Sequence, residues 1–498
     1  VGLAAVYCFR DVLQDSASYL ASGVFAALFL LFDAWLCHTR IESGERAILR
    51  RRVSYFTGGA VAIWVAAISA WGGRFDSAWT PIALLASTVL LTASVYRLRI
   101  REFVVIGQLP ALLGIAWTMG LAFHTPEFSW PILCALVIGL LLAHWWQWQG
   151  KAFTSCCPEG GDHRQLLLCW EAIFSAGFVL NLFAWIFAGI EVGEEWLLLG
   201  PAMAVGLGIY GMITRARVVA VLSQIFLWIG CLAMMAMDLG WGGDGALRAL
   251  VPIFTLCLVN LAMPLAASRV AELPEGWGQA IKKMQSLYRF LAAMLGMLWI
   301  DQCVADDWHV FALAAVGGLL LLANCWRPSE DWFWLSALFL GVGGGFLLLE
   351  FGDRVAHWQA LVALLMLLGV QQLARRFERL SIPDLAHHAL ISGAGIAIFL
   401  WLTVTVSNVA QSTEGQGVRS IAWAVLAVIY FSLGLGLKER WYRLMGLCTL
   451  GIALLSLFPI IWQMSTEMKI ASFFVIGLIF VGLGYIYNHN KETIKKLL

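Results

Sequence analysis

Apolar stretches and short polar turns alternate along almost the whole chain. The apolar runs fall at approximately 18–38, 55–73, 79–96, 103–123, 130–147, 166–190, 196–213, 218–237, 247–268, 286–304, 309–326, 332–351, 356–374, 387–408, 418–437, 441–462 and 470–487. Each is close to the roughly 20 residues that a helix needs to cross a hydrocarbon core about 30 Å thick. Inside that core each backbone N–H and C=O must find its partner within the same segment, so such runs are predicted to be helices. Several connections, among them 73–77, 191–195 and 327–331, hold only a handful of residues. Short connections make neighbouring helices antiparallel. The predicted fold class is all-α: a polytopic transmembrane bundle of about 17 helices in hairpins. The longest polar connections, 39–54, 148–165, 269–285 and 375–386, are too short for a folded soluble domain.

Alternating the segments sorts the charges. Of the 32 Lys and Arg residues, 26 fall on one side. A missed or invented helix would scramble that order downstream, so the split supports the helix count as well as the orientation. By the positive-inside rule the basic side is cytoplasmic, which puts the C-terminus in the cytoplasm. The opposite loops carry acids, including Glu191, Glu194, Glu195, Asp238, Asp244, Asp301, Asp306, Asp307, Glu350 and Asp353. Two readings stand: outer loops are polar and simply lack basic residues, or the acids line a cation-attracting vestibule. Many tryptophans, Trp79, Trp130, Trp146, Trp196 and Trp358 among them, sit at predicted helix ends and suggest an interfacial belt.

Composition agrees. The chain is 61% hydrophobic and only 13% charged, against roughly 25% charged in a soluble domain. A net charge of +1 offers no electrostatic case for nucleic acid. The eleven cysteines lie mostly in apolar runs, as small hydrophobes. Cys156 and Cys157 share a polar loop but lack zinc-site spacing. Residues Val1 to Phe9 read like the tail of a preceding helix, so 1–17 is expected to be a truncated helix end and outer loop, and 18–498 one multi-pass domain.

Ionisable groups inside a membrane are costly and are functional candidates by default. Asp33 and Glu171 each lie about five residues from a basic helix end, and His144 sits at similar depth. Together they would form a shallow polar site for a proton, a cation or a lipid headgroup. Alternatively, the carboxylates meet interfacial arginines or water. Asn260 and Pro264 stand four apart; the proline has no N–H to give the Asn260 carbonyl, so a kink is predicted there. No phosphate-binding glycine loop, zinc-protease motif or nucleophile elbow is present, and no cofactor is expected.

The last hairpin carries a family resemblance. It reads Lys438-Glu439-Arg440-Trp441-Tyr442-Arg443-Leu444-Met445-Gly446-Leu447, an apolar helix, then Met468-Lys469-Ile470-Ala471-Ser472-Phe473-Phe474, Gly477 and Leu483-Gly484-Tyr485-Ile486-Tyr487. This resembles the C-terminal end of the bacterial membrane proteins grouped as domain of unknown function 2339. The rest of the chain is similar to them only in architecture. The resemblance implies a bacterial inner-membrane location and supplies no functional residues. A lysine and an aspartate usual near the outer end of the family's penultimate helix are missing from Ser456 to Gln463. The expected partners are the bilayer and a small-molecule or lipid-linked substrate. The expected roles are a transporter or flippase for an envelope molecule or, as the alternative, a membrane-embedded envelope enzyme or scaffold.

Overall fold

A computed structural model describes residues 16–40, 46–74, 77–98, 101–125, 129–148, 163–237, 244–269, 277–326, 330–376, 384–409, 413–460 and 466–489. The Cys156 and Cys157 loop and nearly all of 1–17 lie outside the described residues. Among the described residues there is no strand, and helices coincide with all seventeen apolar runs. Eleven of these helices are long and apolar enough to cross a membrane, and three shorter apolar helices accompany them. The chain is an all-α, multi-pass membrane protein.

By its contacts the chain forms two compact units, a finer division than the single domain read from the sequence. The first comprises Val1–Met237 and Leu265–Val270, the second Asp238–Pro264 and Ala271–Leu498. In the first unit the helices are α1 (Ser16–Arg40), α2 (Arg46–Arg74), α3 (Thr80–Leu98), α4 (Leu109–His124), α5 (Trp130–Trp148), α6 (His163–Gly189), α7 (Glu194–Thr214), α8 (Arg217–Leu222) and α9 (Gln224–Ala236). In the second they are α10 (Asp244–Arg269, its last residues grouped with the first unit), α11 (Trp277–Cys303), α12 (His309–Trp326), α13 (Glu330–Gly352), α14 (Trp358–Arg376), α15 (Asp384–Val409), α16 (Thr413–Gly436), α17 (Arg440–Ile460) and α18 (Thr466–His489).

The eighth apolar run is one rod with a local irregularity at Ser223, where α8 passes into α9 while the backbone stays right-handed helical. The Ser223 hydroxyl is shared between the carbonyls of Ala220 and Ala204, which ties this point to α7. The contact with α7 is close elsewhere too. A Cβ on Gly200 would stand 2.5 Å from the Phe226 carbonyl oxygen, a backbone atom that cannot swing away. Gly200→Val is therefore expected to lower stability by about 1–3 kcal/mol through overpacking. Thermal unfolding of the variant in the same detergent as the wild type measures it, and an unchanged midpoint would contradict this packing.

Interior and exterior differ in character. Phe25, Leu141, Ile213, Leu349 and Leu455 are exposed on helix faces. A soluble protein would hide such faces, whereas acyl chains solvate them without cost. Trp79, Trp130 and Trp358 are exposed, as an interfacial belt requires, but Trp146 and Trp196 are fully buried. The Trp196 indole packs against Phe183 and Phe187, and its N–H donates to the Ile190 carbonyl. Sequence position at a helix end does not separate the two fates, because burial depends on which neighbour the helix meets.

Three basic residues end helices in the left-handed conformation: Arg215 after α7, Arg354 after α13 and Lys438 after α16. After α16 the Glu439 N–H bonds the Gly434 carbonyl and the Lys438 N–H bonds that of Leu435. After α13 the Val355 and Arg354 amides do the same to Glu350 and Phe351. These are Schellman closures, which satisfy carbonyls that a helix end otherwise leaves open.

Candidate functional site

In the first unit the three polar candidates find different partners. His144, on α5, is buried and hydrogen-bonds the Tyr210 hydroxyl on α7, the two rings meeting edge to face at 5.7 Å. Glu171, on α6, interacts electrostatically with Arg217 at the start of α8. Asp33 is half-buried on α1, and among the described residues its carboxylate makes no hydrogen bond or ion pair.

Asn260 and Pro264 belong to a network. Pro264 removes the N–H that would have bonded the Asn260 carbonyl. That carbonyl instead accepts the Gln285 side-chain amide of α11 at 3.1 Å, while the Asn260 side-chain amide donates to the Gln285 backbone carbonyl at 2.6 Å. One turn along α11, Arg289 donates through Nε to the Asn260 side-chain oxygen at 3.3 Å and through Nη1 to Asp331 at 2.8 Å. Asp331, at the start of α13, also accepts from the Ser286 hydroxyl. The carbonyl that Pro264 leaves without its helical donor thus finds a partner on another helix.

At the acidic end of the second unit lies an open cavity of about 360 Å³. Asp301 contributes from the end of α11, Asp306 from the short 3-10 turn before α12, His309 from the start of α12, Glu350 from the end of α13, Asp353 from just after it, and His357 from just before α14. Phe346 supplies an apolar wall and stacks edge to face on His309. The scaffold is explicit. The Schellman closure after α13 holds Glu350 and Asp353 in one tight turn. The Trp401 indole of α15 donates to the His357 carbonyl at 2.8 Å, and the Asn408 amide to that of Arg354.

The cavity's electrostatics follow from four carboxylates and two imidazoles. His357 Nδ1 lies 3.4 Å from Asp307, which stands beside the cavity. His309, 7% exposed, bonds the Val304 carbonyl through Nε2 at 2.9 Å, which turns its other ring nitrogen away from that bond. Glu350 lies in the field of both histidines and Asp307, and its Oε2 is enclosed without a hydrogen-bond partner. An enclosed carboxylate oxygen lacking a donor is where a cation or an N–H would be stabilised most. Among the described residues no three His, Cys, Asp or Glu side chains converge as metal ligands.

The sequence had drawn attention to Asp301, Asp306, Asp307, Glu350 and Asp353 as acids of outer loops, but not to His309 and His357. Both histidines sit beside a tryptophan at a helix start, and His309 lies two residues after Asp307. That adjacency was the available signal. No family model, curated protein or solved structure matches the chain.

Proposed function

We propose that this membrane protein carries a cation-bearing cell-envelope molecule across the bilayer, and that the acid-and-histidine cavity receives its cationic group. The observation that carries the reading is the joint lining of one cavity by Asp301, Asp306, Glu350 and Asp353. Its volume of about 360 Å³ suits a small headgroup or an amine rather than a polymer. Carboxylates on partly enclosed walls concentrate cations. In this proposal the membrane is the bacterial inner membrane, the cavity faces outward, and the basic turns and the C-terminus face the cytoplasm. The resemblance of the last hairpin to domain of unknown function 2339 adds an envelope setting and no mechanism.

Glu350→Gln removes the negative charge at the enclosed oxygen. In lipid nanodiscs the full chain is expected to bind spermidine about tenfold more tightly than this variant, the size of one charge-assisted hydrogen bond. Titration calorimetry reads the difference, and equal affinities in wild type and variant would sink the proposal.

The His357–Asp307 pairing supports a second reading. An imidazole oriented by a carboxylate is how a general base is held, so the same cavity suits an envelope enzyme. The two part company at His357→Gln. A transporter variant would keep substrate movement within a few-fold, whereas an enzyme variant would lose turnover while keeping cation affinity.

A further inference from the structure

Arg443 lies in the first turn of α17, and only 8% of it is exposed. Its Nε is enclosed with no hydrogen-bond acceptor. Its stem lies across Gly434 of α16, where an added Cβ would come within 2.6 Å of Arg443 Cγ. Among the described residues no carboxylate pairs with it. Glu439, four residues before it, is itself buried and is bound to Arg375 of α14 and to His387 of α15. The other charges beside it on this turn, Lys438 and Arg440, are positive and exposed.

Three local sources of compensation can be weighed. The C-terminus of α16 points negative partial charge toward Arg443, but a helix terminus returns far less than an uncompensated buried charge costs. The carbonyls of Gly434 and Leu435 at that terminus already accept the Schellman amides. Tyr442 faces Gln372. What the site lacks is an anion with several acceptor oxygens, since a guanidinium is matched by carboxylate or phosphate geometry. On a basic end of a membrane protein that chemistry is a phosphate.

We infer that Arg443, flanked by Lys438 and Arg440, binds a phosphate group at the basic end of the second unit, either a phospholipid headgroup or free inorganic phosphate. This inference stands on residues separate from the cation cavity and survives or fails independently of it.

The test uses the full chain in nanodiscs of phosphatidylcholine, with or without phosphatidylglycerol, and native mass spectrometry after release. Wild type is expected to retain phosphatidylglycerol, and Arg443→Gln to retain about tenfold less. If millimolar inorganic phosphate leaves retention unchanged, the source is the lipid headgroup; if it displaces the lipid, the site takes free phosphate. Should Arg443→Gln fail to fold, Arg443→Lys replaces it, keeping the charge but losing the fork, and retention falls several-fold. Equal retention in wild type and a folded Arg443 variant overturns the inference.

Discussion

Replacing Arg289 by leucine is expected to cost about 2–3 kcal/mol of stability, one of the two largest single-residue effects in the protein. The side chain ties α10 to α13 through α11, donating to Asn260 and to Asp331. Its loss leaves the Asp331 carboxylate with only the Ser286 hydroxyl and leaves the Asn260 amide oxygen without its charged donor. A fully buried pair broken this way costs roughly 3–5 kcal/mol. The lower figure applies because Arg289 and Asp331 keep 23% and 27% of their side-chain exposure. The double variant Arg289→Leu/Asp331→Leu removes both charges and is expected to regain about half of the loss. Unfolding in detergent with increasing denaturant measures the cycle. A double variant no better than the sum of the singles would mean that the two groups do not act as a pair.

The second large effect is an asymmetry. Glu439 is buried with 7% of its side chain exposed, while its partner Arg375 is 46% exposed. Removing the exposed arginine strands the buried carboxylate on His387 alone. Removing the buried carboxylate lets Arg375 turn to water. Arg375→Leu is therefore expected to cost about 3 kcal/mol and Glu439→Leu about 1–2 kcal/mol. The intuition that a buried residue is always the more sensitive member gives the opposite order. Unfolding midpoints of the two variants under one condition decide between them, and a larger loss for Glu439→Leu would refute the argument.

Helix identity was legible because the bilayer imposes it: a run such as 387–408 has no other way to satisfy its backbone in hydrocarbon. The irregularity at Ser223 was not legible, since residues 218–237 stay apolar through it and hydropathy does not report backbone geometry. Pro264 announced a free carbonyl at Asn260. Gln285, 25 residues away, could not be named as its partner, because no local rule brings those positions together. The acids of the cavity were visible as loop residues, but their convergence depends on how α11, α12, α13 and α14 meet, which is tertiary information. Asp33, Glu171 and His144 were singled out by depth alone, and depth does not say that His144 meets Tyr210 or that Glu171 lies in the field of Arg217.

The left-handed basic residues bear on how the chain enters the membrane during synthesis. At Arg215 and Lys438 the same residue stops one helix, reverses the chain and carries a positive charge that resists translocation. Glycine would make each reversal easier by roughly 1 kcal/mol but would leave it electrically silent. At these two positions the residue that turns the chain is thus also one that carries charge. Chain reversal and charge are joined in single residues, at a small standing cost to the finished protein.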